Sequence, residues 1–354
     1  MSSAIADVAA RARVSKATAS RALSGNGYVA EATRLRVIAA AEEIGYVASS
    51  NAASLVTGQT KNIGVVMPFI NRWFFGEVLD GIEQALLDRG YDMTLYNLHA
   101  GSPDRQRVFD FFLARKRFDG IILIGVEPTE AERQALTRLA IPLVGIGFPT
   151  DGIPTLAMDD RGAARRATEH LISLGHQRIV HIGGEGADES QFSVAALRGA
   201  GYREAMAAAG LESESRIETT AMSLPGGYDA GANILSSAHR RPTAVFASCD
   251  EIAIGAMIAA RRLGLRVPGD LSVIGIDGHE YAEMFSLTTI EQRPRQQGSD
   301  AATALLDAVA GNPAQAAVVD VPARLIVRTS TAPLAPTRAV PGVAERAPAE
   351  EQTA

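Results

Sequence analysis

Two neighbouring side chains near the amino terminus have the chemistry to read a base pair. Lys16 can donate to O6 or N7 of a guanine, and the methyl of Ala17 can meet the methyl of a thymine. Both stand at the first exposed positions of a segment, Lys16 to about Leu23, in which Ala19, Ala22 and Leu23 fall on one helical face. Ser15 precedes it with a hydroxyl able to cap the helix. Further on, Asn71-Arg72-Trp73-Phe74-Phe75 holds the only tryptophan. Aromatic rings can stack on the apolar face of a bound molecule, so Trp73 or Phe74 is expected to line a ligand site and Phe75 to pack inward. Asp250 and Asp277 each follow an apolar run of strand length, and Asp250 reads as an N-cap for the next helix. Catalytic chemistry has little support. Gly145-Ile146-Gly147 and Gly183-Gly184 lack the full spacing of a phosphate loop. His170, His176 and His181 lie six and five residues apart, which does not make one helical metal face, and His176 reads as a turn residue. No Ser/His/Asp or Cys/His set stands in a recognisable motif. No enzymatic activity, cofactor or metal is expected.

The elements that must position these residues fall into two kinds. Ile5, Val8, Ala9 and Ala12 share one helical face, and Val37, Ala41 and Ile44 share another over about Glu31–Ile44, with Gly45 as its stop. With Lys16–Leu23 between them they describe a helix-turn-helix head, whose second helix would enter the major groove by its amino-terminal end. From Asn62 the pattern changes. Apolar runs at Ile63–Met67, Met93–Tyr96, Gly120–Ile124, Leu143–Ile146, Ile179–Ile182, Ala244–Ala247 and Leu271–Ile276 alternate with helical stretches such as Gly76–Arg89, Arg161–Leu174, Gly199–Ala209 and Glu251–Leu263. Continuous apolar strands separated by helices imply parallel sheets covered on both faces, with ligands bound beyond the carboxyl ends of the strands. Helical pattern ends near Val309, Leu325–Val327 closes the fold as a strand, and the Pro-, Ala- and Glu-rich tail over 333–354 is expected to be disordered.

Composition bounds the setting. The 354 residues exceed one typical domain, and 47% apolar with 21% charged residues is a soluble globular balance. Cys249 is the single cysteine, which excludes an internal disulfide and fits a reducing cytoplasm. The amino terminus has no secretory pattern, and no apolar run reaches membrane length. The net charge is −6, yet the first 57 residues carry six basic and four acidic side chains, so a head of charge +2 precedes a body of charge −8. Such a head can touch phosphates while the body stays off the DNA.

Several ordered motifs then agree. Ile5-Ala6-Asp7-Val8-Ala9, Val14-Ser15, Thr18, Ser20-Arg21, Thr33-Arg34-Leu35-Arg36-Val37 and Gly45-Tyr46 resemble the head of the LacI/GalR family of bacterial transcription regulators. Asn62-Ile63-Gly64-Val65-Val66, Glu169-His170-Leu171-Ile172, Leu174-Gly175-His176-Gln177-Arg178-Ile179, Val273-Ile274-Gly275-Ile276-Asp277, Leu287-Thr288-Thr289-Ile290 and Leu325-Ile326-Val327-Arg328-Thr329-Ser330-Thr331 resemble its body. The resemblance spans about residues 4–332. It implies an all-α helix-turn-helix head plus an α/β core of the periplasmic-binding-protein kind, with two lobes and a ligand between them. It also implies a homodimer on a near-palindromic operator, switched by a small carbohydrate effector. The alternative, a transport-type sugar receptor, would need an export signal and no DNA head.

The resemblance also assigns boundaries and roles. It implies a head over 1–45, a hinge helix and linker over 46–60, and a core over 61–332. Lobe one is about 61–160 with 291–322 and lobe two 161–290 with 323–331, the crossings falling near Asp160, Ile290 and Pro322. Lys16, Ala17 and Arg21 would read bases, while Ser15, Thr18 and Ser20 would contact phosphates. Leu55 would be the apolar wedge of the hinge helix in the minor groove. Arg198 and Asp277 would bind effector hydroxyls, and Cys249 would face the ligand where the family has a polar residue, often asparagine. The chain departs from the family's pattern at Ala48-Ser49 and Ala53 in the hinge, at Arg13, where a glycine in left-handed conformation is usual, and at Ala30, where a serine cap is usual. The last two cost about 1 kcal/mol each. No heptad repeat follows Thr331, so a dimer rather than a zipper-built tetramer is expected.

Overall fold

Small residues close the first three helices on one another. In the computed structural model, which describes residues 5–24, 27–46, 59–98, 102–115, 117–147, 149–184, 193–312 and 318–334, the head consists of α1 (Ile5–Arg11), α2 (Lys16–Ser24) and α3 (Glu31–Glu43). Val8, Ala9, Ala12, Ala19, Ala22, Val37, Ala40 and Ala41 form its core, as the helical spacing predicts. Arg13 adopts φ +53, the left-handed conformation expected there, between the end of α1 and the start of α2. The Arg36 guanidinium donates to the carbonyl of Ala12 at 3.0 Å and so satisfies the end of α1. Ala30 stands at the N-cap of α3 with no side-chain cap bond, and Gly45 follows the helix at φ +63. The expectations at Ala48, Ser49, Ala53 and Leu55, and those for the tail beyond 334, lie outside the described residues.

The chain divides into two compact units, Met1–Ala157 with Arg293–Val321 and Met158–Gln292 with Pro322–Ala354. Besides the head, the first contains a sheet of β1 (Asn62–Met67), β2 (Asp92–Asn97), β3 (Gly120–Ile124), β4 (Leu143–Ile146), β5 (Thr155–Ala157) and β11 (Val318–Asp320), in the order β11-β5-β4-β3-β1-β2. Every pair is parallel. Helices α4 (Trp73–Asp88), α5 (Glu130–Leu139) and α10 (Pro294–Val309) cover it. α4 and α10 touch backbone to backbone. A Cβ on Gly81 would lie 2.0 Å from the Arg295 carbonyl oxygen, and one on Gly298 would lie 2.1 Å from that of Val78.

The second unit repeats this plan. β6 (Ile179–Gly184), β7 (Arg216–Thr220), β8 (Ala244–Ala247), β9 (Ser272–Asp277), β10 (Thr288–Glu291) and β12 (Arg324–Ile326) form the order β12-β10-β9-β8-β6-β7. Strand for strand this is the order of the first sheet, except that β12 runs antiparallel to β10. Its helices are α6 (Asp160–Ser173), α7 (Val194–Ala208), α8 (Leu224–Ser236) and α9 (Asp250–Arg262). Gly255 of α9 fits against α8 only without a side chain, since its Cβ would lie 2.2 Å from the Leu224 carbonyl oxygen.

Several details differ from the reading of the sequence. α4 begins at Trp73, three residues before the expected Gly76, so Trp73, Phe74 and Phe75 form its first turn. Asp160 belongs to the second unit and opens α6, while the return crossing falls after Gln292. His176 is a buried structural node: its ring contacts the hydroxyls of Thr243 and Ser272 at 3.0 Å and the Ala332 carbonyl at 3.1 Å. It thereby helps to sew the segment after β12 onto the second sheet. Ser330 does the same from the other side, donating to the Val273 carbonyl and accepting from the Thr288 amide.

Candidate functional site

The amino-terminal turn of α2 is capped and presented outward. Ser15 accepts from the Thr18 amide at 3.1 Å and shares a 2.9 Å hydroxyl contact with Thr18, so it caps the helix as expected. Lys16, Ala17 and Arg21 are exposed, and Thr18 and Ser20 are half-buried. The Arg21 guanidinium donates back to the Ala17 carbonyl at 3.2 Å, which lays it along the same turn. α1 and α3 brace this element through an Arg11–Glu43 ion pair. The head therefore offers a cation, a methyl group and several hydroxyls on one helix end, the donor set for a phosphate backbone and base edges.

A second concentration of chemistry sits at the carboxyl ends of the second sheet. Arg198 of α7 is buried. Its Nε and Nη2 reach Oδ1 of Asp160, at 2.8 and 2.7 Å, and its Nη1 donates to the Ser248 carbonyl. Burial raises the Asp160 carboxyl against the pull of Arg198, but an oxygen accepting two guanidinium bonds is a carboxylate. Burial also opposes the Arg198 charge, and Asp160 and Asp277 outweigh it, so the guanidinium stays protonated.

Asp277 ends β9 at φ +135, a strained conformation for a residue with a side chain. Gln292 holds it there: its side-chain amide donates to Oδ1 at 2.6 Å and its backbone amide to the Asp277 carbonyl at 3.3 Å. Burial, reinforced by nearby Asp250 and only partly opposed by Arg198, pushes the Asp277 carboxyl up to about 8. Asp250 does not cap α9, whose N-cap is Cys249. Its carboxylate instead crosses to the β9–β10 connection, accepting the His279 amide at 2.8 Å and the Thr289 hydroxyl at 2.8 and 2.9 Å. Gly275 leaves room for this, since a Cβ there would lie 2.1 Å from Asp250 Oδ1. Burial raises Asp250 to about 6 despite those donors.

Cys249 is buried within the apolar cluster of β8 and α9, close enough to Asp277 and Arg198 to feel both charges, and burial raises its thiol well above the ordinary range. Beneath it, His181 is wholly buried in β6. It stacks on Phe246 at 4.5 Å, contacts the Phe246 carbonyl at 3.0 Å, and lies 3.5 Å from the Ser248 hydroxyl. Burial lowers its imidazole to about 4, so it is neutral. In the first unit Trp73 and Phe74 are half-buried, and Phe75 packs edge-on against Phe69 and Phe74 at 5.7 and 5.4 Å. None of the described residues forms a group of three or more side chains able to hold a metal ion.

Comparison with known proteins decides what such a head and body make together. Residues 4–49 match the family described as bacterial regulatory proteins, lacI family, and residues 168–331 match the periplasmic binding protein-like domain. The HTH-type transcriptional repressor PurR of Vibrio campbellii is 34% identical over 339 residues, covering 92% of this chain and 98% of that protein. The chain belongs to the lacI family of bacterial regulatory proteins.

Among solved structures, the lac repressor dimer bound to operator and the anti-inducer ONPF superposes with a TM-score of 0.81 at 26% identity, covering 94% of this chain and all of that one. A LacI family transcriptional regulator from Enterococcus faecium with bound ribose superposes with a TM-score of 0.69 at 29% identity, over 77% and 100% of the two chains. This lacI-family chain is thus a DNA-binding transcription regulator with a periplasmic-binding-protein-like core, and no helix among its described residues is long and apolar enough to cross a membrane.

Of the residues singled out from sequence, the fold brings Arg198, Asp277 and Cys249 together at one sheet edge and Ser15, Lys16, Ala17, Thr18, Ser20 and Arg21 on one helix. Trp73 and Phe74 stand in the other unit, and Leu55 lies outside the described residues. Sequence reasoning missed Asp160 as the partner of Arg198 and Gln292 as the clamp on Asp277. The Asp159-Asp160 doublet ahead of a helical pattern was a usable signal, since one carboxylate is enough for the cap that Asp159 supplies to the Gly162 amide at 2.8 Å.

Proposed function

We propose that the chain is a cytoplasmic repressor that binds a near-palindromic operator as a homodimer and is switched by a small carbohydrate effector. The observation that carries the reading is the outward, capped turn of α2 bearing exposed Lys16, Ala17 and Arg21 on a head whose family match is direct. In this reading Lys16 and Ala17 select bases, Arg21 adds a base or phosphate contact, and Ser15, Thr18 and Ser20 fix the register on phosphates. Leu55 wedges the central step from the minor groove. The effector's hydroxyls meet Arg198 and Asp277 beside Cys249, while Trp73 or Phe74 supplies an aromatic face. The ribose complex of the Enterococcus faecium relative supports the carbohydrate, and the operator-bound lac repressor dimer supports the assembly.

The test is binding to genomic fragments from around the protein's own gene, at fixed salt, with and without a panel of mono- and disaccharides. Salt-sensitive, specific binding to a palindromic site that one sugar changes is the expected result. Absence of specific binding under every ligand would overturn the reading. Arg198→Ala is expected to abolish the ligand response and leave operator binding intact.

A further inference from the structure

One edge of the first unit is cationic, although the body as a whole is acidic. Arg107, Arg115 and Arg117 are exposed, and among the described residues none of them has a carboxylate within ion-pair distance. Aromatic rings hold them instead. The Arg115 guanidinium lies 4.1 Å from the centroid of Phe111 and 5.2 Å from that of Phe112, and Arg107 stands over the same Phe112 at 5.5 Å. Phe112 in turn packs on Tyr96 at 6.1 Å. Burial raises the Tyr96 phenol, and Arg117 and Arg115 are near enough for their charges to oppose that rise. A guanidinium laid on a ring keeps its in-plane N–H donors free for an anion.

This edge is also where the chain from the head enters the body. Thr60 and Lys61 donate their amides to the Asp119 carboxylate at 2.6 and 2.9 Å, and the Asn62 side chain donates to the Arg117 carbonyl at 3.3 Å. Lys61, exposed and at φ +53, holds its ammonium 4.2 Å over the Tyr91 ring. Lys61, Tyr91 and Arg117 thus stand at the amino ends of β1, β2 and β3, three neighbouring strands. Asp119 is engaged by the two amides. Asp92, Asp104 and Asp110 are the exposed carboxylates on these elements, and none of them pairs with the four cations. Twelve residues separate Tyr46 of the head from Gln59. Even fully extended they span at most about 45 Å, so a duplex seated on α2 is tethered close to these cations.

We propose that Lys61, Arg115 and Arg117, flanked by Arg107, form a second DNA-contacting surface, on the body, that takes the phosphate backbone of the duplex on which the head is seated. Cations at a phosphate backbone add affinity and leave base choice to the head. The partner is a duplex and not an acidic protein, because the cations gather where the body is covalently tied to the reading head. The net charge of the body keeps the rest of it off the DNA, and this edge is the local exception. The inference rests on DNA binding by the head and adds to it a share carried by the body. Effector binding plays no part in it.

The test is fluorescence anisotropy of the full-length protein over a range of salt, on a fragment from around the protein's own gene and on a scrambled duplex of the same length and composition. Each phosphate contact contributes about 0.9 to the slope of log affinity against log salt. Arg115→Ala with Arg117→Ala is expected to lower that slope by about 2 and to weaken both duplexes alike, by roughly tenfold or more at low salt. Arg115→Lys with Arg117→Lys is expected to retain most of both, and Arg240→Ala, at an exposed arginine of the second unit, to change neither. Should the double alanine variant fail to fold, Arg115→Ala alone decides, with a slope lowered by about 1. Wild-type slope and affinity on both duplexes overturn the proposal and leave the cations to an acidic partner. A loss confined to the genomic fragment overturns it too, because phosphate contacts are blind to sequence. So does a loss accompanied by dissociation of the protein in sedimentation, since the edge then joins two copies of the chain. If the wild-type protein binds neither duplex, DNA binding by the head fails, and this inference with it.

Discussion

The two sheets share one strand order and differ in what they bury. Among the described residues of the first unit, the buried polar side chains are few: Glu132, Thr155 and Gln297. Its sheet edge carries Phe69, Phe74 and Phe75, with Gly125 making room for the Phe75 ring. The second unit buries Asp160, His176, His181, Arg198, Asp250, Asp277, His279 and Gln292, together with a series of serines and threonines. The repeated scaffold has thus been loaded unequally, with an apolar, aromatic edge on one unit and an electrostatic one on the other. Buried charge is a poor route to stability, because desolvation consumes most of the attraction. Its concentration in one unit is consistent with the effector site proposed there.

The sharpest way to break this comparison is to strand a charge in each unit. Asp160→Ala leaves buried Arg198 without its carboxylate and is expected to cost about 3–5 kcal/mol in urea unfolding. Glu132→Ala removes the partner of partly buried Arg105, 2.7 Å away, and one half of a capping box, and is expected to cost about 1–2 kcal/mol. Equal losses would remove the asymmetry. Where the two units are alike, they should respond alike. Gly298→Ala in the first and Gly255→Ala in the second each drive a methyl onto a carbonyl oxygen, 2.1 and 2.2 Å away, and each is expected to cost about 2–3 kcal/mol.

A pH profile sharpens the electrostatic side. The folded Asp277 carboxyl stands at about 8 against an ordinary 3.8, so between those values the folded chain keeps a proton that the unfolded chain gives up. Stability therefore falls as pH rises through that window. Asp250, at about 6, acts in the same sense over the lower part of it. His181 acts oppositely: folded at about 4 against 6.5, it costs stability as pH falls between those values. From pH 6.5 to 8 Asp277 is therefore the dominant one of the three. Wild-type protein is expected to lose on the order of 1–2 kcal/mol over this range, and Asp277→Asn to show a flat profile in thermal melts. The smallest effect on stability belongs to the head. Exposed Lys16→Ala is expected to change stability by less than about 0.5 kcal/mol while costing about 1–3 kcal/mol of discrimination at one operator base pair, read by binding to single-base operator variants.

How much of this was legible follows from the range of the interactions. Strands such as Gly120–Ile124 and Ala244–Ala247 stand where their apolar runs put them, because central strands buried on both faces need continuous hydrophobicity. β7 was missed because it is an edge strand, Arg-Ile-Glu-Thr-Thr, that only half-buries its side chains. β5 and β11, three residues each, are too short to show a period. α8 opens with Pro225-Gly226-Gly227, which reads as a turn, yet Pro is at ease in a first helical turn and Gly227 is needed against Ile252. At the site, Ser15 was readable because its partner is three residues away. Asp250 was misread because its partners lie 29 and 39 residues on, and a carboxylate at the start of a helix suggests a cap by default. Asp160 and Arg198 pair across 38 residues and β6, which no local spacing reveals.

Both units are assembled from separated stretches of chain, and this orders events during synthesis. β1 to β5 emerge from the ribosome well before α10 and β11, which complete the first sheet and cover it, and β6 to β10 wait longer still for β12 and the segment at Ser330. The head has its own core and no such dependence, so it can fold while the body is still being made. A ribosome that stalls before residue 293 would release a finished reading head on an unfinished sensor. Sealing each unit with segments translated late leaves such fragments incomplete, and therefore open to proteolysis.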